Sequence, residues 1–279
     1  MNEIKPMQKE VLTFPFLQGA GSTLVGVHGA GSMLFFGKLA RKLSHDHAFC
    51  VMQARNMDSL EHDHHFEDIQ DLTMFMADQI EALDRTDALF ICGRYGPIVL
   101  EVGQRLRERG IKVDALIIFD STGPSISQSI STMQRGRSLL LKPLRKLLGI
   151  PVSMGIVDWW KTRSNPASPS TEPYKYKSFG QLNHGLLRHY QPARYPGKII
   201  LIRSEQFSKR KSKRKQIQRW RHITDSFECY VISGTHWTMF SPPHVSALAG
   251  LLEDILDGNS SDQLQSKWSA DSLVAALPR

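Results

Sequence analysis

The sequence predicts an α/β fold built on a mostly parallel β-sheet. Short apolar runs typical of buried strands alternate with amphipathic segments through most of the 279 residues. Such alternation connects neighbouring parallel strands through helices that cover both faces of the sheet. A chain of this length is sufficient for one large domain with its own hydrophobic core.

Six runs have the length and composition of buried strands. They are STLVGVHGAGS (22–32), AFCVMQAR (48–55), ALFICG (88–93), KVDALIIFDST (112–122), GKIILIRSE (197–205) and FECYVISGTH (227–236). Four segments have apolar residues at helical spacing: MLFFGKLARKL, FEDIQDLTMFMADQIEALDR, IVLEVGQRLRERG and PHVSALAGLLEDIL. The second segment places one apolar face toward the sheet, formed by Ile69, Leu72, Phe75, Met76, Ile80 and Leu83.

The net charge of +8 is concentrated in two segments, KRKSKRK (209–215) and RGRSLLLKPLRKLLG (135–149). Neither segment has the aromatic-interleaved pattern of nucleic-acid-binding modules, so we expect no nucleic-acid partner. A run of like charges favours a solvated loop, and its functional alternative is a surface for an acidic partner. No apolar run approaches the roughly 18 residues that span a bilayer, so we expect no membrane association.

The cysteine and histidine patterns predict neither disulfides nor a metal site. The three cysteines, Cys50, Cys92 and Cys229, are odd in number and scattered, which favours the reducing cytoplasm. The HDHH segment at 62–65 lacks the spacing of metal ligands on one helical face. We therefore expect a protein without a metal or a cofactor of its own.

The predicted organisation is one domain over residues 1–257 with an insertion. Residues from about 123 to 196 interrupt the alternation and include SNPASPSTEPYKY, which is typical of a lid over a ligand crevice. Aromatic residues of this lid could line an apolar tunnel for an acyl chain or simply pack the lid itself; they are Trp159, Trp160, Tyr174, Tyr176 and Phe179. Residues 258–279 are predicted to form a flexible tail.

Polar residues that follow strand ends predict where the functional site lies. In parallel sheets the carboxyl ends of the strands line the ligand crevice. His28, the turn at 92–96, Asp120 and His236 all occupy such positions. We therefore expect these four features to converge.

Asp120 and His236 stand in the order of an α/β-hydrolase triad. In that fold a nucleophile on a strand–turn–helix elbow is followed along the chain by an acid and then by a histidine. The acid orients the imidazole, and the imidazole moves the proton. His28, Gly29 and Ala30 lie at the end of the first predicted strand. A backbone N–H group there could donate a hydrogen bond to an oxyanion.

Six segments, spread from about residue 11 to 257, carry a family resemblance. They are VHGAGSMLFFGKLARKL, MQARNMD, FEDIQDLTMFMADQIEAL, VLEVGQRLRERGIKVDALIIFDSTGPS, HYQPARYPGKIILIRSE and VISGTHWTMFSPPHVSALAGLLEDIL. In family order, these segments resemble the type I and type II thioesterases of polyketide and nonribosomal peptide synthesis. The resemblance implies an α/β-hydrolase fold with a helical lid, acting on acyl chains delivered by a phosphopantetheinyl carrier protein. Asp120 matches the acid of the family's Leu-Asp-Ser/Thr strand end, and His236 matches its Gly-x-His-x-x-Met motif.

The turn after ALFICG departs from the family pattern. The family's elbow reads Gly-His-Ser-x-Gly-Gly, whereas residues 92–97 read Cys-Gly-Arg-Tyr-Gly-Pro. Alternative alignments place Tyr95 or Gly93 at the nucleophile position, or delete a serine between Arg94 and Tyr95, and none supplies a serine. Tyr95 is a weak nucleophile because a phenol has a pKa near 10. Cys92 is either a nucleophile that reaches His236 or inert core.

The residues on this turn also suggest other roles. Arg94 and Tyr95 would lie where the acyl group normally bonds, and they offer a cationic donor and a phenol for binding an oxyanion or supplying a proton. Alternatively, they only fill the vacated pocket. Gly96 begins the following helix, whose N-terminus favours an anionic group.

Three functions stay open from the sequence. The favoured one is a thioesterase-like enzyme that uses His236 and Asp120 for non-hydrolytic tailoring of a polyketide intermediate by cyclisation, dehydration or isomerisation. The second is a thioesterase or cyclase that depends on Cys92 and releases an acyl chain from a carrier protein. The third is an inactive scaffold that binds a carrier protein. The expected partner is an acyl or peptidyl carrier protein or a released intermediate.

Overall fold

A computed structural model describes residues 11–29, 33–54, 66, 68–85, 87–124, 186–187, 190–208 and 213–268. Within these residues seven strands form one sheet in the order β1-β3-β2-β4-β5-β6-β7. The strands are β1 (Val11–Gln18), β2 (Thr23–His28), β3 (Ala48–Ala54), β4 (Leu89–Gly93), β5 (Ala115–Phe119), β6 (Tyr195–Ser204) and β7 (Thr224–Ile232). Most of the predicted lid, with all five of its aromatic tunnel candidates, lies outside the described residues, and so does Ala30.

The sheet is mostly parallel, as predicted. Every neighbouring pair from β3 to β7 is parallel, and only β1 runs antiparallel, along the outer edge of β3. The sequence did not predict β1, because Pro15 interrupts its strand pattern. An edge strand tolerates proline, which lacks an N–H, and the pairing shifts register between Pro15 and Leu17.

Helices cover both faces of the sheet. They are α1 (Leu34–Ala40), α2 (Ile69–Glu81), α3 (Gly96–Glu108), α4 (Glu205–Ser208), α5 (Lys213–Arg221), α6 (His244–Leu256) and α7 (Ser261–Trp268). Among the described residues, none of the helices has the length and apolar character needed to span a membrane.

The alternation of side chains along each strand divides the core into two layers. In β5, Leu116 and Ile118 belong to the layer packed under α2, α3 and α5, whereas Ile117 and Phe119 belong to the layer under α1, α6 and α7. Both layers are closed to solvent, which is why the parallel strands read as continuous apolar runs.

Two segments predicted to be irregular are partly helical. The basic run at 209–215 was predicted to be a solvated loop, yet α5 begins within it at Lys213. The predicted flexible tail contains α7, which packs on α6 because Leu264 is buried and the Trp268 indole N–H donates to Asp254 at 2.6 Å. A flexible tail from residue 258 is therefore wrong for residues 261–268.

The fully buried indole of Trp220 packs against Gly96, the first residue of α3. A Cβ atom placed on Gly96 would lie 2.3 Å from the Trp220 ring, closer than any packing tolerates. The Trp220 indole N–H donates to the Ser121 carbonyl at 3.1 Å. Helix α5 is thereby joined to the turn that precedes α3 and to the end of β5.

Gly96→Ala is expected to destabilise the protein by about 1–3 kcal/mol, because the new methyl group overlaps a ring that has no room to move. The measurement is the free energy of unfolding in urea. Gly37→Ala in α1 is the matched control: its Cβ would meet Phe16 at an ordinary 3.6 Å, and alanine favours the helix. Equal stability of Gly96→Ala and wild type would contradict the packing described here.

Candidate active site

Residues from the carboxyl ends of several strands meet at one edge of the sheet, which we call the crevice because parallel sheets bind their ligands at this edge. The His28 and Tyr95 rings lie 5.9 Å apart, the Arg94 Nη2 donates to the His236 carbonyl at 3.0 Å, and the His236 Nδ1 lies 3.4 Å from the Asp120 Oδ2. The end of β2, the turn after β4, the end of β5 and the loop after β7 each contribute to this site.

Asp120 is the most firmly held residue of the crevice. Its Oδ1 accepts the Ser204 backbone N–H at 2.7 Å, and its Oδ2 accepts the Ser204 hydroxyl at 2.5 Å. Its backbone has a φ of +48°, in the left-handed region that aspartate tolerates better than most residues. Burial raises the pKa of Asp120, but the nearby His236 imidazole and the hydrogen bonds from Ser204 outweigh burial and lower it below its usual value.

His236 lies between Asp120 and solvent. Its Nδ1 is sealed from solvent, and the Asp120 carboxylate at 3.4 Å is too distant for a normal hydrogen bond. Contacts of this kind often tighten only when substrate binds. Within the described part of the chain, Nε2 has no hydrogen-bond partner, and the side chain is 31% exposed. Nε2 is therefore the nitrogen available to a substrate.

The turn between β4 and α3 has relaxed backbone geometry. Tyr95 precedes α3 with φ −94° and ψ 85°, and among the described non-glycine residues only Asp84 and Asp120 have positive φ. A nucleophile elbow is a sharp, strained turn that lifts its nucleophile above the sheet. The Gly-Arg-Tyr-Gly turn at 93–96 lacks that strain, and the Tyr95 ring packs toward His28 and the core.

The backbone amide at the start of α3 is already hydrogen-bonded. The Gly96 N–H donates to the Ser121 hydroxyl at 3.2 Å, beside the Trp220 ring. In an α/β-hydrolase the amide after the nucleophile donates to the oxyanion. If Tyr95 occupied the nucleophile position, that amide would belong to Gly96, so Ser121 competes for the donor.

Arg94 lies half-buried at the base of the crevice. Its guanidinium carbon lies over the rings of Phe35 and Trp237 at 5.2 Å and over that of Phe240 at 5.7 Å. Burial lowers the pKa of Arg94, and the charges of Tyr95 and Asp120 offset part of that effect. The side chain connects the turn after β4 to the loop that carries His236.

Two of the residues proposed for the oxyanion site, His28 and Gly29, are described by the structure, and both are buried. His28 is 4% exposed and packs against Phe35, Phe36 and Tyr95, so its imidazole is part of the wall of the crevice. Gly29 is buried beside it.

In the described ranges, no group of three histidine, cysteine or acidic side chains could hold a metal ion.

Cys92 lies inside the core. Its side chain has no exposed area and belongs to the layer that contains Phe36 and Phe119. Burial raises the pKa of the Cys92 thiol well above its ordinary value, with a smaller contribution from Cys50. A thiol in this environment is a poor source of thiolate.

Three residues of the crevice went unrecognised in the sequence: Ser204, Ser121 and Trp220. Ser204 ends β6 at the same edge of the sheet as Asp120, so the strand-end rule could have identified it. Ser121 directly follows Asp120 and could have been found in the same way. Trp220 follows a basic run on a separate helix, and no local pattern connects it to the turn at 93–96.

The acid stability of the protein is expected to depend on Asp120. Its folded-state pKa is lowered, so its contribution to stability is complete above the unfolded-state value near 3.9 and is lost as the pH falls through the lower folded value. Asp120→Asn should remove roughly 1–3 kcal/mol at pH 7 and flatten the decline in unfolding free energy below about pH 5. Asp225→Asn, at a surface carboxylate paired with Arg194, is the control. An unchanged acid profile for Asp120→Asn would contradict the arrangement.

Native Cys92 is expected to resist iodoacetamide at pH 8, because its thiol is buried and its pKa is raised. Peptide mapping by mass spectrometry should show slower alkylation of Cys92 than of the partly exposed Cys229, and complete reaction of both in urea. Native alkylation of Cys92 at the rate seen in urea would indicate a thiolate open to the crevice.

Solved structures share this architecture at low sequence identity. The Vlm2 thioesterase domain superposes with a TM-score of 0.58 and 20% identity, covering 88% of this chain and 98% of that domain. The NocB thioesterase domain from the nocardicin cluster, in covalent complex with a fluorophosphonate nocardicin G analog, gives 0.58 and 20% over 88% of this chain and 99% of that one.

A four-domain nonribosomal peptide synthetase bound to AMP and glycine matches with a TM-score of 0.62 and 17% identity over 88% of this chain, which corresponds to 20% of that protein. No curated protein matches the sequence. The model of the thioesterase domain family matches residues 23–163, which is half of the chain and includes β2 to β5 with Asp120. This protein has the α/β-hydrolase fold and belongs to the thioesterase domain family.

Proposed function

We propose that this thioesterase-family protein catalyses non-hydrolytic proton transfer on an acyl intermediate of polyketide or nonribosomal peptide biosynthesis. His236 is the acid–base residue and Asp120 orients it. The outcome for the substrate is cyclisation, dehydration or isomerisation. The proposal rests above all on one contrast: the acid–base pair is intact, while the turn that would carry a nucleophile has no serine.

The intact pair has the properties that acid–base chemistry requires. Asp120 is ionised, buried and fixed by Ser204, so it can stabilise the imidazolium that forms when His236 accepts a proton. The His236 side chain is 31% exposed, and its Nε2 has no hydrogen-bond partner among the described residues. A positioned histidine of this kind accelerates a proton transfer by roughly 10²–10⁴-fold.

The neighbouring turn is poorly suited to acyl-enzyme chemistry. It carries Arg94 and Tyr95 in a relaxed conformation, and the Gly96 amide is bonded to Ser121. A phenol is a weak nucleophile at neutral pH. Cys92 is buried on the preceding strand, in the interior layer of the core.

The proposed step removes a proton from carbon beside a carbonyl group. The Nε2 of His236 accepts the proton, and the electron pair of the C–H bond moves onto the carbonyl oxygen to form an enolate. The Arg94 guanidinium, whose Nη2 donates to the His236 carbonyl, supplies positive charge that favours formation of the enolate. Attack of the enolate carbon on a second carbonyl group closes a ring, and protonated His236 returns its proton to the new alkoxide. In a dehydration the electron pair instead expels a β-hydroxyl group, which takes the proton from His236 and leaves as water. In an isomerisation His236 returns the proton to a different carbon of the conjugated enolate.

The basic character of the chain agrees with delivery of the substrate by an acidic carrier protein. Delivery as a released intermediate is the alternative. The aromatic residues suggested for a tunnel, from Trp159 to Phe179, lie outside the described residues.

Solvent exchange at carbon tests the proposal. In D₂O the wild-type protein should exchange the C2 protons of 3-oxooctanoyl-N-acetylcysteamine or 3-oxooctanoate faster than buffer, as followed by proton NMR. His236→Asn should reduce the catalysed rate by about 10²–10⁴-fold, and Asp120→Asn by at least about 10-fold. His222→Asn, at an exposed histidine after α5, should match wild type.

Two results would replace the proposal with its alternatives. An acyl adduct on Cys92 in intact-protein mass spectrometry, absent from Cys92→Ala, would establish a cysteine-dependent thioesterase. Exchange at the buffer rate in wild type and His236→Asn alike, with no adduct and no hydrolysis, would favour a scaffold that binds a carrier protein.

A further inference from the structure

Arg94 is a partly buried cation that lacks a carboxylate partner among the described residues. Its described contacts are the three aromatic rings and one hydrogen bond, from Nη2 to the His236 carbonyl. Asp120 influences it through charge, yet the Asp120 oxygens are occupied by Ser204 and face His236. A charge withdrawn from water without a counter-ion is costly, and a bound anion would offset that cost.

The guanidinium retains donors for such an anion. It carries five N–H groups, and within the described part of the chain it uses one. None of its nitrogens is among the described polar atoms that are both buried and unbonded, so each of the remaining donors retains some exposed surface. A planar fork of this kind matches the two oxygens of a carboxylate.

The rings and the histidine restrict where an anion can bind. Phe35, Phe240 and Trp237 lie around the guanidinium carbon, and Phe240 is buried. The loop from Gly234 to Phe240 carries both His236 and Trp237, so an anion on the open N–H groups lies beside the catalytic imidazole. The indole of Trp237 is 78% exposed and provides an apolar surface next to the same position.

From this juxtaposition we infer that Arg94 binds the carboxylate of the substrate and that the substrate is a released carboxylic acid rather than a thioester on a carrier protein. This inference deepens the function proposed above and rests on it for the identity of the reacting site. An upstream hydrolysis or other chain-release step must then supply the acid, because this site receives it already free.

The physical basis for the preference is charge. A carboxylate forms two charge-assisted hydrogen bonds with guanidinium, whereas a thioester offers one weak neutral acceptor. A hydrogen bond between charged groups is worth enough to give a preference of about 10-fold to 100-fold. In a 3-oxo acid held in this way, C2 lies between the carboxylate on Arg94 and the ketone, adjacent to the proposed base.

The inference is tested by binding, which does not require turnover. Isothermal titration calorimetry compares decanoate with decanoyl-N-acetylcysteamine, two probes that share an acyl chain and differ in charge. Wild type should bind decanoate at least about 10-fold more tightly. Arg94→Met, which keeps an apolar stem beside the rings, should lose that preference through weaker decanoate binding with thioester binding unchanged. Arg94→Lys should keep part of the preference.

The control is Arg221→Met, which removes an exposed guanidinium at the end of α5 from above the ring of Phe227. It should retain the wild-type preference. Equal binding of the two probes by wild type, or a preference for the thioester, would overturn the inference even if Arg94→Met failed to fold. An equal loss of both probes in a folded Arg94→Met would overturn it as well, because Arg94 would then only support the fold.

The outcome is separable from that of the proposed function. His236→Asn retains the backbone carbonyl that Arg94 contacts, so it should bind decanoate like wild type while losing exchange at C2. Exchange without a preference for the acid would refute the inference alone, and a preference for the acid without His236-dependent exchange would refute the proposed function alone.

Discussion

The organisation of the crevice depends on the hydrogen bonds that hold the Asp120 carboxylate. Ser204 at the end of β6 satisfies both carboxylate oxygens, and the left-handed backbone of Asp120 aims the group back across the sheet toward His236. This arrangement requires β5 and β6 to be neighbours in register, which the parallel pairing of Phe119 with Ile202 provides. A buried carboxylate held in this way remains ionised and can balance a protonated imidazole.

The residues around this pair pack against the turn that follows β4. Trp220 from α5 presses on Gly96, and the Ser121 hydroxyl takes the Gly96 amide. Packing and a hydrogen bond therefore fix the turn at 93–96, and none of its residues has the positive φ of a strained elbow. Among the described residues, this crevice contains an imidazole, a guanidinium and an indole. The proposed proton transfer uses the first of these groups, and the proposed anion binding uses the second.

Much of the fold could be predicted from local patterns, and the failures have clear physical causes. The buried strands were identifiable because parallel strands covered on both faces are apolar throughout, as in ALIIF of β5. β1 was missed because Pro15 is acceptable only on an edge, and edge position is a tertiary property. The sequence of α7 predicts a flexible tail because it is polar on most faces. The helix is stabilised instead by Leu264 and Trp268, which pack against α6.

The sequence by itself determined the order of the elements, the position of Asp120 directly after a strand, the position of His236 between the last strand and the next helix, and the absence of serine from residues 89–108. Chain order and residue type are local facts. Only the tertiary structure decided what each of those residues faces. The burial of Cys92, the contact of Arg94 with the His236 carbonyl, and the pairing of Asp120 with Ser204 each join segments that are distant along the chain or depend on which side of the sheet a residue points. The charge state, exposure and hydrogen bonds of each side chain depend on its neighbours. Those neighbours are brought together by packing between elements that are distant along the chain.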